Sequence, residues 1–148
     1  MLKMIKLDTA ALEAAYRATR YRVYLPQGQI DLRIDEVSQS LSKWLKAQGT
    51  DSFAIVTGFN PESTLQTVEI NSENQSRLEC TLIEGNYEPY AGENVPDDSS
   101  APLEESCFVA DIELEDALAL ADDFGQSAIV FGRGDGIPHL VWIKQTAE

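Results

Sequence analysis

The feature that most limits how this chain can fold is the run Ser52-Phe53-Ala54-Ile55-Val56-Thr57, which carries no charge and stops abruptly at Gly58-Phe59-Asn60-Pro61. Aromatic, β-branched and small residues in unbroken succession describe a short strand covered on both faces. Such a strand needs a packed layer on each side of its sheet. The chain is therefore expected to be α/β (mixed α+β), one domain over residues 1–148, with a mixed sheet of about six strands flanked by three or four helices. In open α/β sheets ligands sit outside the carboxyl ends of strands, so Thr57 and Asn60 are the first residues to consider for a site.

The flanking segments supply the other elements. Leu12, Ala15, Tyr16 and Thr19 recur at helical spacing behind Asp8 or Thr9 as a cap, which predicts a first helix ending near Thr19. Tyr21, Val23 and Leu25 alternate with Arg20, Arg22 and Tyr24; beyond Pro26-Gln27-Gly28-Gln29, Ile30, Leu32 and Ile34 alternate with Asp31 and Arg33. This is the pattern of a hairpin with one wet face. Arg20, Arg22 and Arg33 share that face, either paired with Asp31 and the acidic second half or open to a phosphate or carboxylate. A second helix runs from Asp35 as N-cap through Val37, Leu41, Trp44 and Leu45 to Gly49. A third, over 72–85, starts from Ser72-Glu73-Asn74-Gln75 and carries Leu78 and Leu82 as its apolar stripe. Residues 86–103 hold Pro89, Gly92, Pro96 and Pro102 and few large apolar side chains, so they are expected to form an irregular acidic loop, with a short edge strand at 87–90. A strand at 105–110, a helix at 113–124 stopped by Gly125, and strands at 127–131 and 138–143 complete the chain. The last two are joined by Gly132-Arg133-Gly134-Asp135-Gly136, in which Arg-Gly-Asp is turn chemistry. The helices following the strands at 52–58 and 105–110 are expected to make right-handed crossovers.

Charge is distributed unevenly. Through Arg77 the chain carries nine basic and nine acidic residues; from Leu78 onward it carries two basic and sixteen acidic, so the whole net charge of −14 belongs to the second half. Such a surface repels nucleic acid and anionic membranes, and its sharper use is a basic protein partner or imitation of a polyanion. No run approaches the roughly 18 apolar residues of a membrane span. The N-terminal Met1-Leu2-Lys3-Met4-Ile5-Lys6 lacks the apolar core and cleavage site of a signal peptide, so a soluble, cytoplasmic protein is expected. Cys80 and Cys107 stand far apart without metal-ligand spacing, which points to two small buried hydrophobes in a reducing compartment. Neither a metal nor a cofactor is expected.

The catalytic signals are sparse. The single histidine, His139, shares a strand face with Val141 and Ile143 and reads as a half-buried structural imidazole. No phosphate loop, GxSxG elbow or HExxH pattern occurs. Four residues before Leu78, Asn74 places a carboxamide in the first turn of the face that points inward, with Arg77 beside it. It either bonds the loop around Asn60 or meets a ligand, and the start of a helix favours an anion.

Several short motifs in order resemble a known family. They are Ala15-Tyr16-Arg17-Ala18-Thr19-Arg20-Tyr21-Arg22-Val23, Thr57-Gly58-Phe59-Asn60-Pro61, Glu73-Asn74-Gln75-Ser76-Arg77-Leu78, Glu105-Ser106-Cys107-Phe108-Val109 and Phe124-Gly125-Gln126-Ser127-Ala128-Ile129-Val130-Phe131. Together they resemble an uncharacterised bacterial family, domain of unknown function 3293. The resemblance carries no activity. It implies that Thr57, Asn60, Asn74, Arg77, Glu105, Ser106 and Gln126 belong to a shared polar set. This chain has Gly58-Phe59 where the family pattern usually has Ala-Trp, and Glu105 is followed directly by Ser106 where a proline is expected between them.

Two functional expectations follow. The first is a non-catalytic accessory module that binds a protein partner through its acidic C-terminal half, with nucleic-acid mimicry as a variant. The second is a site for a small anionic ligand, or a weak enzyme, at the strand ends. There Arg77 would hold the anion, Asn60, Asn74 and Gln126 would orient it, and Glu105 would act as acid or base.

Overall fold

A computed structural model of the chain describes residues 9–143. Asp8, one of the two expected caps of the first helix, lies outside them. Along the chain run α1 (Thr9–Arg17), β1 (Thr19–Leu25), β2 (Gly28–Leu32), α2 (Gln39–Gln48), β3 (Ser52–Val56), a single 3-10 turn (Pro61–Ser63), α3 (Val68–Glu84), β4 (Pro89–Pro96), β5 (Glu104–Ala110), α4 (Leu114–Asp123), β6 (Ala128–Arg133) and β7 (His139–Trp142). The strands form one sheet in the order β2-β1-β4-β5-β3-β6-β7.

The mixed α+β class holds, with seven strands among the described residues where about six were expected. Every pairing among the described strands is antiparallel, so the sheet is not a mixed one. The reason is β4. Residues 87–90 were expected as a short edge strand and 91–96 as loop, yet 89–96 form one strand inside the sheet, paired with β1 on one side and β5 on the other. This strand carries no hydrophobic alternation that could announce it. Its prolines stand at its first and last positions, where they interrupt least of the ladder. Gly92 sits where a Cβ would lie 2.6 Å from the Arg22 carbonyl oxygen and 2.8 Å from Ser106 Oγ, so only glycine fits between the neighbouring strands. With β4 inserted, α3 joins β3 to β4 and α4 joins β5 to β6. Each pair of strands runs in the same direction with one antiparallel strand between. That is the split β-α-β-β-α-β arrangement of ferredoxin-like cores, extended here by the β1-β2 hairpin and by β7.

The β3 run is buried at all five positions because both faces of the sheet are covered. On one face Leu78 and Leu82 of α3 and Ala117 and Ala121 of α4 pack on Ala54, Val56, Cys107 and Val109. On the other face Leu41, Trp44 and Leu45 of α2 pack on Phe53, Ile55, Phe108 and Val130. Phe108 is the centre of this second layer, with ring centroids 5.7 Å from both Phe53 and Trp44. The remaining part of that face lies under α1, which buries none of its own residues fully. Tyr16 fastens α1 through its carbonyl oxygen, which accepts the Tyr21 hydroxyl at 2.8 Å, and through an edge-to-face contact with Trp142.

Helix boundaries moved where caps competed. Ser38, not Asp35, caps α2, accepting from the Leu41 amide; Asp35 has φ 66° and pairs with Arg17. For α3 the cap is Thr67, so the helix starts earlier than 72 and buries Asn71, Gln75, Leu78 and Leu82. Val68 and Ile70 lie exposed in its first turn, which hid this start from an apolar-periodicity reading. Arg20, Arg22 and Arg33 take the paired alternative, meeting Asp31, Glu93 and Asp97. His139 is exposed and beside Asp35 rather than half-buried. Both cysteines are free, Cys107 buried as expected and Cys80 exposed on α3. No helix among the described residues is long and apolar enough to cross a membrane.

Candidate functional site

Where β3 ends, the backbone turns through a loop whose polar groups are satisfied from three directions. Thr57 Oγ1 donates to the Glu105 carbonyl at 2.6 Å and accepts from the Phe59 amide. The Gly58 amide donates to Gln75 Oε1, and a Cβ at Gly58 would lie 2.8 Å from the Asn74 carbonyl oxygen, so α3 packs directly on the turn. Gln126 Nε2 donates to the Phe59 carbonyl at 3.0 Å.

Asn60 is the hub of this loop. It is left-handed, φ 49° and ψ 60°, immediately before Pro61. Asparagine tolerates that region better than other side-chain-bearing residues, although a following proline restricts it further. Four hydrogen bonds of its amide and carboxamide hold it there. Its amide donates to Asn71 Oδ1 at 2.8 Å, its Oδ1 accepts from Asn71 Nδ2 and the Gln66 amide, and its Nδ2 donates to Glu104 Oε2 at 2.8 Å. Glu62 and Ser63 are also at positive φ, so the segment is strained beside the site it borders.

The loop forms one wall of a cavity of about 370 Å³ between α1 and the sheet. Ile55, Val130 and Tyr21 line its floor and Leu12 and Tyr16 its roof, while Thr57, Asn60, Asn94, Glu104 and Gln126 bring polar groups. Among the described residues no Lys or Arg lines it. Burial pushes the Glu104 carboxyl above its ordinary range, and hydrogen bonds from the Asn60 and Asn94 side chains pull it partly back. Burial, helped by the charge of Glu104, pushes the Tyr16 phenol up to about 12. Among the described residues, Asn94 Oδ1 is buried without a hydrogen-bond partner. No group of three or more His, Cys, Asp or Glu among them could hold a metal ion.

The raised Glu104 carboxyl has a consequence for stability. Because the native state holds this proton more tightly than the unfolded chain, stability falls as pH climbs from the ordinary glutamate range through the raised folded value, and stays lowered above it. Tyr16 and Tyr21 are the titratable groups coupled to it, and they stay protonated throughout. Glu104→Gln is therefore expected to be more stable than the parent at neutral pH, with the gap closing in acid. Urea unfolding between about pH 4 and about pH 8 measures this; a gap independent of pH would contradict it.

Of the seven residues expected at the site, the structure brings Thr57, Asn60 and Gln126 to the cavity wall. Asn74 and Arg77 stay on the outer side of α3, with Arg77 Nη1 donating to Asn74 Oδ1 at 2.8 Å and its guanidinium over the Phe124 ring. The groove there also contains Glu73, Glu84 and Asp123, which makes it a poor place for an anion. Glu105 points to the α3 and α4 face, because strand residues alternate and Phe108 faces α2. Ser106 is buried against Gly92 without lining the cavity. The arrangement of Arg77, Asn74 and Glu105 around one anion is thus not what the fold builds. Its place is taken by Glu104, one residue earlier and on the opposite face, and by Asn71 and Asn94. Counting back by two from Phe108 would have found Glu104, and the spacing of 71, 75, 78 and 82 would have found Asn71. Asn94 gave no signal, since its strand was invisible.

The matched part of the chain coincides with this geometry. A family model described as Protein of unknown function (DUF3293) matches residues 56–129, half of the sequence. The chain belongs to this family. Those residues run from the last position of β3 into β6, and so the family segment holds Thr57, Asn60, Asn94, Glu104 and Gln126. Tyr16 and Tyr21, which close the cavity from α1 and β1, lie outside it. No curated protein and no solved structure matches the chain.

Proposed function

We propose that this member of the family is a non-catalytic module that binds a small molecule in the cavity between α1 and the sheet. The observation that carries the reading is a cavity of about 370 Å³, apolar over most of its wall, where a desolvated carboxyl and several carboxamides meet at the carboxyl end of β3. Its size falls within the usual range for small-molecule sites, and convergence of a few polar groups on an apolar hollow is what such sites share. Among the described residues no Lys or Arg lines the cavity, which speaks against an anionic ligand. A metabolite panel screened by thermal shift tests the reading, with Ala15→Trp as the companion variant, since Ala15 lines the cavity from α1 and a larger side chain would fill it. A ligand at about 100 times its Kd stabilises by about 2.7 kcal/mol, a rise of about 5 to 10 °C. That rise is expected in the parent and not in Ala15→Trp. No compound raising the melting point, or a rise that survives the filled cavity, would remove the proposal.

A second reading rests on a different observation. Glu73, Glu79 and Glu84 of α3 and Glu115, Asp122 and Asp123 of α4 form no ion pair among the described residues, while the arginines of the hairpin are paired elsewhere. This supports a basic protein partner on the helical face, in a reducing, cytoplasmic setting that suits the two free thiols. Binding by such a face weakens steeply with salt. A pull-down repeated at low and high ionic strength checks it, and competition by excess DNA separates nucleic-acid mimicry from other basic partners; capture indifferent to salt would count against both.

A further inference from the structure

Glu104 presents a problem that nothing else among the described residues solves. Its carboxyl borders a mostly apolar cavity, its observed hydrogen bond comes from the neutral carboxamide of Asn60 at 2.8 Å with the Asn94 carboxamide lining the same hollow, and among the described residues no ion pair reaches it. A desolvated carboxylate is costly to keep unless a positive charge accompanies it, and neutral donors offset only part of that cost. The other groups around it do not supply one. Tyr16 and Tyr21 hold their protons, Gln126 spends its Nε2 on the Phe59 carbonyl, and Thr57 spends its hydroxyl on the Glu105 carbonyl. The rings of Tyr16, Tyr21 and Phe59 line the same hollow, and aromatic walls suit a cation by their quadrupole as well as an apolar body by its area.

We infer that the ligand is an organic amine: an ammonium head paired with the Glu104 carboxylate beside Asn60 and Asn94, and an apolar body lying against Tyr16, Ile55 and Val130. This rests on the cavity being a ligand site and adds the class of molecule it takes. The ammonium would bring the missing charge, and charge-assisted hydrogen bonds to a desolvated carboxylate are about twice as strong as neutral ones. Carboxylates and phosphates of the same shape would be turned away, because they would place a second negative charge beside the first with no Lys or Arg among the described residues of the wall to balance them.

Isothermal titration of the full chain with benzylamine, N-benzylacetamide, benzyl alcohol and benzoate tests this at matched apolar bodies. Benzylamine is expected to bind at least tenfold more tightly than the alcohol or the acetamide, and benzoate most weakly. Glu104→Gln should reduce the preference for benzylamine over benzyl alcohol by tenfold or more while remaining folded; the comparison with N-benzylacetamide on the unmodified chain tests the role of charge without any substitution. If the alcohol, the acetamide or benzoate binds as tightly as the amine and Ala15→Trp abolishes that binding, the cavity stands and the amine assignment falls. If none of the four binds, or Ala15→Trp leaves their binding unchanged, both fall.

Discussion

Asn60→Ala is expected to destabilise the protein by about 3 to 5 kcal/mol in urea unfolding. The substitution removes three side-chain hydrogen bonds, to Glu104, Asn71 and the Gln66 amide, and strands Asn71 Nδ2 where water reaches poorly. The three lost bonds, with one buried group left unpaired, are together worth about 2 to 4 kcal/mol. Alanine at φ 49° adds roughly another 1. Asn60→Gly separates these contributions, since it loses the same bonds but accepts the left-handed backbone; it is expected to be about 1 kcal/mol less damaging. Asn60→Asp would set a second carboxyl against Glu104, so its deficit should shrink in acid, where one of the two takes up a proton. A change below about 1 kcal/mol for Asn60→Ala would mean that the loop holds its shape without this residue.

Phe108→Ala is expected to cost about 3 to 5 kcal/mol as well, for a different reason. The ring is 0% exposed and sits at the middle of the sheet's α2 face. It stacks on Phe53 and receives the edges of Trp44, and each aromatic pair adds about 0.5 to 1.5 kcal/mol beyond the area it buries. Its removal opens a cavity lined by rings that cannot collapse, because Phe53 and Tyr90 are fixed by the neighbouring strands β3 and β4. Phe108→Leu keeps more of the volume and should lose about half as much. Chemical denaturation of both variants measures the difference; a loss below about 2 kcal/mol for Phe108→Ala would show that α2 is held to the sheet by other contacts.

The two substitutions also show which parts of the fold were legible beforehand. Phe108 lies in an apolar run, and a run of that kind carries its own instruction to be buried. The same holds for Phe53 to Val56, for Leu41, Trp44 and Leu45, and for Ala117 and Ala121, all of which lie in the core. Asn60 was legible differently, as the polar stop after a strand. What it touches was not. Its partners Asn71 and Glu104 lie 11 and 44 residues away, and each was displaced in the reading by a neighbour with similar chemistry, Asn74 and Glu105. A helix starting one turn earlier and a strand residue counted on the wrong face were enough to exchange them.

From the chain alone came the short apolar strands, the hairpin, the cores of the helices and the confinement of excess negative charge to one half, because those properties are set by composition and local periodicity. Tertiary structure decided the place of β4, and with it the antiparallel order of the sheet and the polar edge of the cavity. A strand that contributes mainly backbone hydrogen bonds between two neighbours needs no hydrophobic alternation, and its existence depends on the chains beside it rather than on its own side chains. Glu104 became a half-buried carboxyl for the same reason: the packing of α1, β4 and the loop at Asn60 around it removes much of its water.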